Sequence, residues 1–353
     1  MAVRVVDYSP LTAPVSASDV ATWRAQSGTA GAVGAGITAG MVHMVVGAAI
    51  GFATVIFLFG NLTVTFGTVS TGNSIGVGVF LLVLAGSAAL VVLGLRSWRL
   101  GWVRRFRLAH FAEANGMTYS PGQRNPSYPG EIFQLGSNRT ALDHMVTASG
   151  RFLDMGNFQW VTGSGKNRTT HTWGFLALSL DRNMPNIVLD SKANNTILGS
   201  DLPATLDRSQ ILHLEGDFDR YFTLYCPAQY EQDALYIFTP DLMALLIDEA
   251  APFDVELIDD WMFVYASRPF DMTDPAVLQR LFRITDTVGA KALRQTERYA
   301  DARVGDPGAN LVAPQGARLK RRVPVAAAVV VGIFVVIWGW TFFGPIIAGF
   351  TSR

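Results

Sequence analysis

Gly163, Ser164, Gly165 and Lys166 match the end of a phosphate-binding loop, where backbone amides cradle a phosphate and the lysine reaches it. The pattern breaks at both ends. Trp160 stands where the first glycine belongs, and Asn167 replaces the hydroxyl that would hold Mg²⁺. The segment is therefore expected to be a hairpin turn. Gly72, Ser74 and Gly76 have the spacing of a nucleophile elbow, but they lie where a loop enters an apolar segment instead of between a strand and a helix. His110, His144, His171 and His213 are dispersed, and Cys226 is the single cysteine, so no zinc pattern and no disulfide framework exist. Asp217, Asp219, Glu231 and Asp233 could gather around a divalent cation, but their spacing also suits a solvated acidic face, which is the reading taken. No catalytic, metal-binding or cofactor-binding residue is predicted.

The elements that carry these residues are dominated by apolar sequence. Of 353 residues, 50% are hydrophobic and 16% charged, with 28 acidic and 28 basic side chains and a mean hydropathy of +0.27. Roughly 25% charged is usual for a soluble domain, so the composition is that of a membrane protein. Three segments meet the requirement of about 20 apolar residues for a transmembrane helix: Met41–Gly60, Ile75–Leu95 and Val325–Ile347. About 40 residues precede the first, which argues against a cleaved signal peptide. His43 lies within one turn of the end of that segment and is read as an interfacial, structural histidine. Gly47 and Gly51 give it a small-residue face for close helix packing, with the second segment, the third segment or a second copy of the chain as partner and packing within the chain as the first choice.

Basic residues set the expected orientation. Arg96, Arg99, Arg104, Arg105 and Arg107 follow the second segment; Arg318, Lys320, Arg321 and Arg322 precede the third; the loop between the first two has no charge. The positive-inside rule places the N-terminus and residues 96–322 in the cytoplasm and the C-terminus outside, as a multi-pass protein of the inner membrane. The nine positives form a collar for anionic headgroups. Residues 111–317 hold 26 acidic against 16 basic side chains, which argues against a nucleic-acid-binding body.

Residues 1–40 read as a loose tail with one short helix near Asp19–Gln26, residues 41–95 as a two-helix hairpin, and residues 96–300 as a juxtamembrane helix followed by an α+β domain. Residues 301–322 read as a flexible Gly/Pro-rich basic linker, and residues 323–353 as the third span with a short tail. Trp98, Trp102, Phe106 and His110 share one flank of the juxtamembrane helix, which Asn115 and Gly116 end. Residues 117–142 are turn-rich, with three prolines. From His144 onward, short runs rich in β-branched and aromatic residues predict a mainly antiparallel sheet, including Thr170–Leu180, Asn186–Asp190 and a hairpin turning at Asp259 and Asp260. Thr239 is expected to cap a helix from Pro240 to Glu249. Asp274 and Pro275 open another toward Tyr299.

The two N-terminal spans, the segment from Leu212 through Gly216 to Phe218, the aromatic run Phe222–Tyr225, the stretch Ala234–Met243 with Thr239 and Pro240, and the segment Met262–Tyr265 together resemble an uncharacterised bacterial family, domain of unknown function 3137. The resemblance covers roughly residues 140–268. It implies a membrane-associated bacterial protein and offers no catalytic residues to carry over. The expected function is a membrane-anchored interaction or regulatory subunit whose acidic domain binds a protein partner near the inner leaflet. The alternatives are a membrane-tethered enzyme and an accessory subunit of a transport or envelope complex.

Overall fold

Gly116, at φ +66°, takes the left-handed conformation that closes a 43-residue helix and turns the chain into its first strand. The computed structural model describes residues 5–27, 35–62, 72–195, 206–306, 309–321, 334 and 338. In chain order the elements are α1 (Ser9–Thr12), α2 (Ala17–Gln26), α3 (Ala35–Leu62), α4 (Gly72–Ala114), β1 (Met117–Arg124), β2 (Ser137–Thr147), β3 (Leu153–Thr162) and β4 (Thr169–Ser191). There follow β5 (Ile211–Leu212), β6 (Phe222–Tyr225), α5 (Glu231–Ile237), α6 (Pro240–Leu245), β7 (Asp254–Ala266), α7 (Pro275–Ile284) and α8 (Ala290–Thr296).

These elements fall into two compact units, between which residues 96–300 are shared. The first unit comprises residues 1–128, 135–178 and 268–283. Among the described residues, α3 and α4, both in this unit, are the two helices long and apolar enough to cross a membrane. Strands β1, β2 and β3 and the first half of β4 form an antiparallel meander. Gly163 and Gly165, at φ +75° and +56°, make the β3–β4 hairpin, and Thr162 pairs with Thr169. The N-terminal residues are docked instead of loose, because Tyr8, Leu11 and Trp23 find places against the rest of the unit. Leu11 is buried, Tyr8 packs on Phe111, and Trp23 meets Trp102 and Phe106 edge-on. Asn115 accepts from the Asp7 amide at 2.8 Å and donates to the Asp7 carbonyl at 2.9 Å.

The second unit comprises residues 129–134, 179–267 and 284–353. Its sheet combines the latter half of β4 with β6 and β5 in antiparallel register, and β7 also pairs with β4. The core is built from Phe218, Phe222, Leu224, Phe263 and Tyr265, all nearly fully buried.

The structure departs from the sequence pattern at several segments. Residues 117–142 hold all of β1 and the first half of β2, since the prolines that exclude a helix fall at a strand position and in the connecting loop. Thr170–Leu180 and Asn186–Asp190 are parts of one 23-residue strand. The chain does not reverse at Asp259 and Asp260: β7 runs through them, and the positive φ of Asp259, +50°, is one local kink in a continuous strand. Thr239 starts α6 through its backbone but makes no side-chain cap. Residues 309–321 are not a free linker. They form a strap across the second unit, with Ala313 and Leu319 buried and Gly316 seated against the Tyr230 ring, where a Cβ would clash. The predicted third span, Val325–Ile347, lies outside the described residues apart from Phe334 and Trp338, which are helical and exposed.

Candidate functional site

The small residues of α3 meet those of α4. A Cβ on Gly47 would stand 2.9 Å from the Ser87 carbonyl oxygen and 3.0 Å from Leu90 Cβ, and one on Gly51 would stand 2.9 Å from Ser87 Oγ. Gly40 and Gly94 make the same close approach one end further along, with Gly94 against the Gly40 carbonyl and Met44. Large apolar side chains point away from this seam. Phe52, Phe57 and Leu82 are each about 70% exposed, and Ala49 and Ala53 are exposed with them.

The basic residues divide between the two units. In the first, Arg96 and Arg99 are exposed on α4, whereas Arg104 is tied to Asp143 and to Asp271, at 3.0 Å in both cases. Arg105 is buried beside the Trp102 ring, and Arg107 donates to the Ala13 carbonyl. In the second unit, Arg318 pairs with Asp259 at 3.3 Å, Arg321 lies 2.8 Å from Glu131, and the Lys320 amide donates to Gln210. Arg322 lies outside the described residues. The residues grouped by sequence as one collar are thus partly committed to ion pairs and hydrogen bonds inside their own units.

A cavity of about 390 Å³ opens in the second unit beside Glu256. Gly130 sets the spacing of its walls: any Cβ there would strike the Tyr265 hydroxyl, so glycine lets the turn at Glu131–Gln134 approach β7. That approach delivers the Glu131 amide to Glu256 Oε2 at 2.8 Å, where the Tyr265 hydroxyl also donates at 2.8 Å. Asn186 on β4 donates to Glu256 Oε1 at 2.9 Å. Asn186 also holds the strap: its Oδ1 accepts from the Leu319 amide at 3.0 Å and its backbone N–H donates to the Gly316 carbonyl at 2.9 Å. Burial pushes the Glu256 carboxyl up to about 7. The three hydrogen bonds oppose that shift, and the neighbouring Glu131 charge adds to it. Apolar walls come from Ile132, Val188, Leu206 and Leu319, and the half-exposed Arg318 and Arg321 stand at the mouth.

A second polar cluster anchors the strap from its other end. Tyr230 donates to Asp301 at 2.5 Å, the Ala313 amide donates to Asp301 at 2.9 Å, and Arg303 lies over the Tyr230 ring while bridging Asp301 and Asp233. Burial raises the Asp301 carboxyl, but these donors more than compensate and hold it below its ordinary value.

The residues singled out in the sequence do not converge. Lys166 is exposed on the β3–β4 hairpin. The four histidines sit in separate settings: His110 stacked on Phe106, His144 buried 3.0 Å from Asp154, His171 stacked on Trp160, and His213 against Asp219 at 2.7 Å. Asp233 belongs to the Arg303 cluster, so it and Asp219 answer to different partners. Gly72, Ser74 and Gly76 lie in the first residues of α4. Among the described residues no group of three or more His, Cys, Asp or Glu is placed to hold a metal. Burial pushes the Cys226 thiol up to about 12, with the Glu231 and Asp233 charges adding to the shift, which leaves it unreactive. Sequence reasoning missed Glu256, Asn186 and Tyr265. The available signal was a carboxylate set between Val255 and Leu257 in an apolar strand, a position that demands hydrogen-bond partners.

No protein-family model matches the chain, and no curated protein matches it. Among solved structures, the crystal structure of the mycobacterial trehalose monomycolate transport factor A is similar over 52% of this chain and 93% of its own, at 12% identity and a TM-score of 0.34. Likeness at that level carries no argument about fold or function.

Proposed function

We propose that the chain is a membrane-anchored interaction or regulatory subunit, with its N-terminus and residues 96–322 on the cytoplasmic side of the inner membrane and its C-terminus outside. The observation that supports this best is the α3–α4 pair. Its seam is too tight for a larger residue at Gly40, Gly47 and Gly94, where a Cβ would meet backbone, while its outward surface is built from exposed Val, Leu, Ile and Phe, a surface that water does not tolerate over this length. The charge asymmetry about α3, α4 and the segment from Val323 supplies the orientation.

Working by contact follows from what the body offers. The exposed arginines at the membrane boundary hold it at a fixed height against anionic headgroups. Leu235 and Tyr236 on α5 are exposed together, beside polar neighbours, as the centre of a small partner-binding patch. The test is membrane extraction followed by photo-crosslinking. The chain should resist alkaline carbonate, and a photo-reactive residue at Leu235 should capture one discrete protein, absent when the reactive residue is at the exposed Lys166. Release by carbonate, or the same products from both positions, would refute the reading.

A further inference from the structure

The strap supplies Arg318, Leu319 and Arg321 to the cavity beside Glu256, and two residues beyond Arg321 the sequence becomes uncharged from Val323 to Ser352. Two residues of extended chain span at most about 7 Å. If that segment crosses the bilayer, as proposed above, the mouth of the cavity stands at headgroup depth, and this inference rests on that reading. The cavity's size falls within the range of about 300–1,000 Å³ typical of small-molecule sites. Its chemistry is two-sided. Ile132 and Val188 are almost wholly buried and Leu319 nearly so, whereas the Arg318 and Arg321 side chains are 57% and 55% exposed.

We propose that this cavity accepts the acyl chain of an anionic single-chain amphiphile taken from the inner leaflet, with the headgroup bound by Arg318 and Arg321. The chain lies against Ile132, Val188, Leu206 and Leu319, where it replaces water on apolar surface. Both guanidinium groups are already turned toward carboxylates, Arg318 to Asp259 and Arg321 to Glu131 through Nη2. These pairs are solvent-exposed and therefore weak, and a guanidinium has five N–H donors, so a headgroup joins them without displacing the existing partners. A carboxylate and a phosphate each present two oxygens that the planar guanidinium fork engages in bidentate fashion. Because the strap provides both the cations and one apolar wall, occupancy ties residues 309–321 to β4 and β7 and so links the body to the last apolar segment.

The test uses the full chain in phosphatidylcholine nanodiscs with a diazirine-bearing palmitate, and adducts are mapped by mass spectrometry. Insertion is scored separately by flotation. The expected adducts fall on Ile132, Val188 or Leu319, are removed by excess palmitate, and survive methyl palmitate and inorganic phosphate. They fall at least about ten-fold in the double variant Arg318→Gln, Arg321→Gln, as the loss of charge-assisted bonds requires. They vanish in Val188→Trp, which fills the cavity. The competition arms use the unaltered chain and remain decisive if a variant fails to fold. Adducts confined to residues 41–95 and 323–352 of an inserted chain overturn the cavity site and leave the anchor standing. Equal competition by methyl palmitate overturns the anionic headgroup. A chain that does not float refutes the anchor, and cavity adducts are then judged on the same competition arms.

Discussion

Replacing Glu256 by Gln should flatten a pH dependence that the second unit owes to one carboxyl. Glu256 is buried, with its proton affinity raised from the ordinary 4.5 to about 7. In the unfolded chain it ionises near 4.5, so between these values the folded state binds more protons than the unfolded state. Stability therefore falls as pH rises through this window and levels off above 7. At about 1.4 kcal/mol per unit, the loss between pH 4.5 and pH 7.5 is about 3 kcal/mol. Other carboxylates slope the opposite way, Asp301 among them, so the informative quantity is the difference between wild type and Glu256→Gln at each pH. The glutamine carries a constant penalty, because one end of its amide must face a donor from Asn186, Tyr265 or the Glu131 amide. That penalty shifts the difference without tilting it. The assay is urea titration of the full chain in mild detergent, read by peroxide oxidation of Met262, which is buried on the same strand. Relative to the variant, the wild-type midpoint should fall by on the order of 1 M urea between the two pH values. A difference that stays constant across the range would refute the assignment of a raised proton affinity to Glu256.

Three further outcomes follow from the packing. Gly47→Leu with Gly51→Leu should lower the melting temperature in detergent by several degrees, because each new side chain meets Ser87, whereas Ala49→Leu with Ala53→Leu, on the exposed face, should change it little; circular dichroism melts decide. Gly316→Leu should undock the strap from Tyr230 and open residues 309–321 to protease at least about ten-fold faster, with the sheet itself retained. ATP and GTP with Mg²⁺ should give no saturable thermal shift, since Lys166 lies on an exposed hairpin; a shift abolished by Lys166→Ala would reinstate the phosphate-loop reading.

Much of the scaffold was legible because it is written in local patterns. The two apolar helices, the stop at Gly116, the β3–β4 hairpin at Gly163 and the start of α7 at Asp274 each depend on residues adjacent in sequence. What failed depended on distant partners. Asp259 and Asp260 look like a turn, but the pairing of β7 with β4 keeps the chain straight. Residues 309–321 look like a tether from their Gly and Pro content. Their order comes from Asn186, Gln210, Tyr230 and Asp301, each more than ten residues in sequence from the strap residue it holds. The candidate site was illegible for the same reason. Glu131, Asn186 and Glu256 come from three separated segments, and Gly130 makes their meeting possible only through a contact with Tyr265.

A chain anchored as proposed, with its body on the cytoplasmic face, is distinguished from the alternatives by labelling intact cells with a membrane-impermeant thiol reagent. The native Cys226 is buried, so single cysteines introduced at Val69, Lys166, Ser209 and Ser352 report alone. Positions 69 and 352 should label in intact cells, and positions 166 and 209 only after the membrane is permeabilised. Labelling of 166 or 209 in intact cells, with 69 protected, would contradict the proposed orientation, and loss of the chain from the membrane fraction would contradict the anchor itself.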